Sequence, residues 1–280
     1  MTAVIGFHTK DAVILATDSQ MTAKETKRLS STKLWQVDFK GGHKALIARS
    51  GSIDGADIFH EIFAELASDT EITGWRTAAD TAETALKRAK AKIIENAGYL
   101  MAKSAGRKYL EELHHQFLLA NVFHGASFLF CGDSVGGFTK LVSEPFEAIG
   151  SGREVAGFIL DGMKLRLLAE HAGHGLAAYT IGMCKRANIY CAGPLQLGTI
   201  DLKGECTIFD ERYIRMMEAA VEKTDEAVTA TLGRQISLNF TEEYLKDLQA
   251  RVTILEKNLG PNKTELLVRE PTPSNRKARK

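Results

Sequence analysis

The chain carries almost no net charge: 36 Lys and Arg stand against 35 Asp and Glu, a formal +1 at pH 7. That balance leaves no global field to draw in nucleic acid or an anionic membrane surface. No apolar run reaches the ~18 residues a membrane-spanning helix needs. No basic segment followed by an apolar one opens the chain, so no signal peptide is expected and the expected compartment is the cytoplasm. The four cysteines, Cys131, Cys184, Cys191 and Cys206, form no C-x-x-C pair. A zinc knuckle and a thioredoxin-type motif are therefore unsupported, and buried reduced thiols are expected instead. There is no Walker A sequence and no G-x-G-x-x-G fingerprint, so any ATP hydrolysis would have to come from a partner. His114-His115 point about 100° apart on a helix and chelate poorly, and His171 and His174 lack an obvious third ligand. Neither a metal nor a cofactor is expected. No repeat of ~20–50 residues is evident.

What is present suits a folded soluble chain. Of the 280 residues, 44% are apolar and 25% charged, enough to build a core without disulfides or metals. The length fits one enlarged domain or a domain with an extension.

The first ~50 residues look like short strands. Val4 to Phe7 and Ala12 to Ala16 are apolar runs either side of a polar Thr9-Lys10-Asp11 turn. Leu34 to Phe39 and Lys44 to Ala48 form a second pair around Lys40-Gly41-Gly42. Ile53, Ile58, Phe59, Ile62, Phe63 and Leu66 then recur at helical spacing. A longer helical stretch runs from Thr77 to the low 110s. Strand character returns at Ser127 to Gly132, Phe138 to Val142 and Ala148 to Ser151. Helices are expected over Arg153 to Glu170 and Gly175 to Lys185, with short strands at Ile189 to Cys191 and Gly204 to Phe209. Strands alternating with helix pairs argue for a layered α+β architecture. The expected divisions are a main domain at 1–209, a helical C-terminal extension at 210–260, with Thr241 a plausible N-cap, and a tail at 261–280. The tail's Pro, Ser, Asn and basic residues read as disorder, or as a binding arm.

Chemistry enters through the hairpins. A first turn centred on Lys10 sets Thr2 opposite Asp18, and a shift of one residue sets it opposite Ser19. A second turn centred between Gly41 and Gly42 sets Lys33 opposite Ser50, next to Gly51. Thr2, Asp18, Lys33 and Gly51 converge if the hairpins lie side by side. Each residue alone is ordinary: a small residue after the initiator, a turn former, a solvated strand end, a punctuating glycine. Brought together, they would make chemical sense as a reaction centre. A threonine hydroxyl needs a base. Once Met1 is removed, the α-amine of Thr2, with a pKa of ~7.7–8.0 in peptides, can take the hydroxyl proton. A nearby lysine favours the alkoxide, a carboxylate fixes that lysine, and a backbone N–H at Gly51 can stabilise an oxyanion, an effect worth ~10²–10³ in rate.

Thr2-Ala3-Val4-Ile5-Gly6 with Ile14-Leu15-Ala16-Thr17-Asp18-Ser19-Gln20 resembles the opening of proteasome β-subunits and the bacterial HslV protease. So do Lys33, the glycine-rich Ser50-Gly51-Ser52-Ile53-Asp54-Gly55-Ala56-Asp57, and Ala148-Ile149-Gly150-Ser151-Gly152. The match runs in order over residues 2 to 200. It implies the four-layer αββα sandwich of N-terminal-nucleophile hydrolases and stacked homo-oligomeric rings around a proteolytic chamber. Unfolded polypeptide would be the substrate, fed by an AAA+ ATPase or another activator. It also implies Thr2 as nucleophile and, through its amine, base; Asp18 and Lys33 as its tuners; Gly51 as oxyanion donor; and Ser151 as a hold on the amine or its water. The spacing from Asp18 to Lys33 is one residue shorter than the family pattern. Where the family often carries an Asp-x-x-Ser pair, this chain reads Asn188-Ile189-Tyr190-Cys191, so that support is altered. The resemblance identifies a divergent bacterial proteasome homologue. A threonine endopeptidase is the leading expectation. A silent assembly protein and a small-molecule amidohydrolase are the alternatives.

Overall fold

A computed structural model of the protein describes residues 2–23, 26–28, 31–97, 113–188 and 190–224, and the single positions 226, 246 and 249. The chain divides into two compact units, Met1–Glu222 and Lys223–Lys280. In the second unit the five described positions are helical. Most of the expected extension beyond 210, including the Thr241 cap, and all of the expected tail at 261–280 lie outside the described residues.

The first unit is α+β, with two antiparallel five-stranded sheets. Its strands are β1 (Ala3–His8), β2 (Ala12–Asp18), β3 (Met21–Ala23), β4 (Thr26–Arg28), β5 (Leu34–Asp38) and β6 (Lys44–Gly51), then β7 (His115–Phe123), β8 (Ala126–Asp133), β9 (Phe138–Leu141), β10 (Phe146–Gly150), β11 (Leu195–Asp201) and β12 (Cys206–Ile208). Helices α1 (Ile53–Asp69) and α2 (Thr77–Ala97) precede β7; α3 (Arg153–Leu160), a 3₁₀ turn (Leu165–Leu167) and α4 (Glu170–Ala187) follow β10. Residues 211–222 are again helical. Strand order is β10-β1-β2-β11-β12 in the first sheet and β5-β6-β7-β8-β9 in the second; β3 and β4 pair with each other. Among the described residues, no helix is long and apolar enough to cross a membrane.

Side-chain alternation explains the packing. Every residue of β1 and β2 is buried, as for strands covered on both faces. Ile5, Phe7, Ile14 and Ala16 face Ala177, Ala178 and Ile181 of α4. Their neighbours Val4, Val13 and Leu15 pack instead on Leu46, Ala48, Leu118 and Leu129 of the second sheet. That sheet turns Ile47, Phe117, Leu119 and Phe130 toward Phe59 and Phe63 of α1 and Ala82 and Leu86 of α2.

Several expectations need correction. The second hairpin is offset by one: Leu34 pairs with Ala48 and Asp38 with Lys44, and Arg49 N–H donates to the Lys33 carbonyl at 2.9 Å. Lys33 therefore faces Arg49 rather than Ser50. The helix expected over Arg153 to Glu170 stops at Leu160, because Gly162 takes φ +72°, the left-handed conformation that ends helices. No strand spans Tyr190 and Cys191. The Asn188 side chain accepts from Tyr190 N–H at 2.9 Å, and Cys191 N–H donates to the Asn188 carbonyl at 3.0 Å, an Asx-type turn. The late strand is trimmed to Cys206–Ile208. The helical reading into the low 110s is followed as far as Ala97, and the rest of it lies outside the described residues.

Candidate active site

The β1–β2 register pairs Val4 with Thr17. Continued outward, it sets Ala3 level with Asp18 and Thr2 level with Ser19, the second of the two alignments allowed by the turn. Asp18 reaches the chain start diagonally. Its Oδ1 accepts from Ala3 N–H at 2.9 Å, and its Oδ2 accepts from Gln20 N–H at 3.2 Å and Ala192 N–H at 3.1 Å. The carboxylate is fully buried, so these donors replace the water it loses.

Lys33 comes from the segment just before β5. Its ammonium donates to Thr2 Oγ1 at 2.5 Å, to the Gln20 carbonyl at 2.5 Å and to Asp18 Oδ1 at 3.4 Å. Three donors meet three acceptors. Thr2 is 2% exposed and Lys33 4%. Burial pulls the Lys33 pKa below its usual value, and the Asp18 carboxylate opposes that pull. A lysine so placed can stabilise an alkoxide on Thr2 or pass a proton to it.

Sequence reading missed Gln196. From β11 its Oε1 accepts from the backbone N–H of Lys33 at 2.8 Å and of Leu34 at 3.2 Å, while its Nε2 donates to the Ser31 carbonyl at 2.7 Å. One amide thus fixes the backbone that carries the lysine. The available signal was the alternation in Leu195-Gln196-Leu197, a polar residue between two buried ones.

Ser151 lies on the other side of Thr2. Its hydroxyl donates to the Thr2 carbonyl at 3.4 Å and sits 3.6 Å from Cys191 Sγ. Gly152 N–H also donates to that carbonyl, at 3.4 Å. Asn188 Nδ2 donates to the Ser151 carbonyl at 2.8 Å, so Asn188 holds the loop rather than Thr2 itself. Burial raises the Cys191 pKa, which keeps it a thiol and a poor nucleophile. Gly150, paired with Ala3, has φ +84°, and a Cβ there would lie 2.0 Å from the Thr2 carbonyl oxygen and 2.6 Å from Ser50 Oγ. That close approach also brings the end of β6 to Thr2. Gly51 follows Ser50 at φ +104°, where a Cβ would be 2.5 Å from the His114 carbonyl. No hydrogen bond joins Gly51 to Thr2 among the described residues.

The structure therefore gathers Thr2, Asp18, Lys33 and Ser151 into direct contact, with Asn188 and Cys191 supporting Ser151 and Gly51 one residue from the cluster. Such a set can deprotonate a hydroxyl, hold the resulting charge and form an ester with an acyl group.

No protein-family profile and no curated protein matches this chain. Solved structures do. A Gly-1 mutant of Anbu from Hyphomicrobium sp. strain MC1 aligns at TM-score 0.63 and 15% identity, over 83% of this chain and 99% of that one. Anbu from Yersinia bercovieri, described as an ancestral beta-subunit, gives 0.63 and 13% over 81% and 97%. The helical assembly of the Anbu complex from Pseudomonas aeruginosa gives 0.65 and 15% over 83% and 96%. The expected kinship with proteasome β-subunits of the HslV type is thereby corrected: the structures this chain is similar to are Anbu proteins, and distantly. At 13–15% identity the likeness shows the fold alone.

Proposed function

We propose that this protein is a threonine-type N-terminal-nucleophile endopeptidase, built on a four-layer αββα sandwich and working in a self-compartmentalised assembly of its own copies. The observation that carries this reading is the buried Lys33 ammonium 2.5 Å from the Thr2 hydroxyl. The sandwich is supported by three apolar layers: helix on sheet, sheet on sheet, and sheet on helix.

Removal of Met1 frees the Thr2 α-amine. The amine takes the hydroxyl proton, directly or through a water, and the oxygen attacks the substrate carbonyl. Lys33 steadies the developing charge, Asp18 holds Lys33, and the Gly51 N–H is the oxyanion donor. Collapse to the ester expels the leaving amine, which collects the proton. Water then attacks the ester and returns the free hydroxyl. Ser151 positions Thr2 through its carbonyl, with Asn188 and Cys191 behind it. Residues 1–209 would supply this chemistry, with 210–260 a helical extension and 261–280 a tail. Unfolded polypeptide entering a ring, fed by an AAA+ ATPase or another activator in the cytoplasm, completes the reading. The helical assembly in the name of the Pseudomonas aeruginosa Anbu structure supports self-association as a property of this fold.

A silent assembly protein is the second reading. It is favoured by Asn188 and Cys191, which stand where the resembled family often carries an Asp-x-x-Ser pair and which leave a thiol 3.6 Å from Ser151. Intact mass and a β-lactone probe separate the two. We expect loss of Met1 and one adduct on the wild type, with none on Thr2→Ala. Processed wild type that takes no adduct would sink the peptidase reading.

A further inference from the structure

Arg49 stands where two parts of the candidate site meet. It lies in β6, facing Lys33 and just ahead of Ser50 and Gly51. An arginine is rarely buried unless it is paired, yet Arg49 is only 6% exposed. Its contacts account for that burial. Nη1 donates to the Ile53 carbonyl at 3.0 Å and meets Asp57 Oδ1 at 2.6 Å, and Nη2 donates to the Thr32 carbonyl at 3.3 Å. The guanidinium also lies 4.5 Å from the centre of the Trp35 ring, within cation–π range.

Two sets of these bonds act on the site. The backbone N–H of Arg49 and its Nη2 take the adjacent carbonyls of Lys33 and Thr32. Gln196 already holds the Lys33 N–H, so the peptide groups on both sides of the lysine are fixed. Nη1 closes the chain on itself from Arg49 to Ile53. The enclosed residues are Ser50, Gly51 and Ser52, with Gly51 at φ +104°. From the far side the His114 carbonyl anchors Ser52 N–H at 2.8 Å. One planar, rigid fork thus spans the lysine lead-in and the glycine turn.

We propose that Arg49 is a positioning residue for the chemistry at Thr2, its fork fixing the Lys33 ammonium and the Gly51 N–H relative to each other. The inference rests on the peptidase reading above. There the lysine serves the attacking oxygen and the N–H serves the carbonyl oxygen, and displacing either by an ångström can cost about 10²-fold in rate. The charge of Arg49 has a second effect. Lys33 is faced by Asp18, Cys191 and Arg49. Burial lowers its pKa most, Asp18 and Cys191 oppose that, and Arg49 adds to the lowering.

The test separates fork from charge. Arg49→Lys keeps the charge and loses the fork, and Arg49→Met loses both. Asp57→Asn loosens the outer grip and leaves Arg49 in place. Full-length proteins are compared by peptide turnover per titrated site, by the pH profile of β-lactone capture and by NMR titration of isotope-labelled lysine. Arg49→Lys should lower kcat by about tenfold or more with KM little changed. Asp57→Asn, at an exposed position where folding is spared, should lower it less. Arg49→Met should also raise the Lys33 titration midpoint and carry the alkaline limb of capture upward, which Arg49→Lys should not. A wild-type kcat in Arg49→Lys overturns the proposal, as does an unmoved Lys33 midpoint in Arg49→Met. If neither Arg49 variant folds, Asp57→Asn decides, and an unchanged kcat there overturns it. A wild type that takes no lactone sinks the peptidase reading instead, and the Lys33 midpoint in Arg49→Met then decides whether Arg49 acts on the lysine.

Discussion

The two sheets share one apolar layer but are backed by different materials. Behind the first sheet the packing residues are small: Ala148, Ala156, Ala177, Ala178 and Cys184 sit among Ile5, Ile14 and Ile181. Helix α4 comes so close that a Cβ on Gly173 would lie 2.4 Å from Ile14 Cδ1. Behind the second sheet alanines are as common, Ala78, Ala79, Ala82, Ala85 and Ala89 of α2 among them, but stacked phenylalanines join them. Phe59 stacks on Phe117 at 4.7 Å and on Phe63 at 5.6 Å between ring centroids. Phe117 pairs across the strands with Gly132, where a Cβ would be 2.1 Å from the ring; the glycine makes the space. The difference teaches a division of labour. In the first half, strand pairing of β1 with β2 and β10 brings Asp18 and Ser151 to the chain start. Aromatic volume supplies burial to the other half, which contributes a single reactive side chain, Lys33.

Substitution at Lys33 breaks that division most severely, because it touches both halves. Lys33→Met should lower turnover about 10²–10⁴-fold. It should also cost up to about 3–5 kcal/mol, lessened by the three backbone N–H groups that still hold Asp18. Peptide hydrolysis and urea melts measure the two effects. If turnover is unchanged, the lysine has no part in the chemistry.

Phe117→Ala separates the halves. It should destabilise by about 3–5 kcal/mol while the folded fraction keeps its rate, measured as active-site-titrated kcat. A matching collapse of kcat would show that the aromatic half shapes the site directly.

Gln196→Ala probes the seam, since a first-sheet strand grips the lead-in to β5. Losing bonds to Ser31, Lys33 and Leu34 should cost about 1–3 kcal/mol. It should depress kcat more than KM, because the lysine backbone loosens. An unchanged kcat with the same stability loss would make the glutamine purely structural.

The gentlest probe is acid. His115, in β7, is 2% exposed, and burial holds its pKa down at about 4 against an ordinary 6.5. Between those values the unfolded chain binds more protons, so stability falls as pH drops from 6.5 to 4. One such group contributes at most about 1.4 kcal/mol per pH unit. His115→Gln should flatten this part of the denaturation profile, and an unaltered slope would assign the acid sensitivity elsewhere, with His8 the next group to test.

Local signals made the first half of the site readable. The Thr9–Asp11 turn and two short apolar runs fix β1 against β2, and with them Thr2 near Asp18. The glycine-rich turn fixes β5 against β6 to within one residue; that residue replaces Ser50 by Arg49 opposite Lys33. What escaped was nonlocal. Strand β7, His115–Phe123, is buried along nearly its whole length, and such a run carries no alternation to distinguish it from helix. Strand β11 lies between β2 and β12, so Gln196 meets Lys33 only through tertiary pairing. Asn188 and Cys191 were legible as residues but not as a turn, because an Asx bond competes with strand pairing without changing composition.

Gly150 leaves this chain little room for drift. A single methyl group there would press on the peptide plane leading out of Thr2, and the lightest object in that crowd to give way is the chain start. The sheet edge could survive such an exchange while the hydroxyl moved off its ammonium. A protein with this lesion would melt earlier than its parent, because a side chain at φ +84° is strained in any direction, and it would also carry its first hydroxyl out of place.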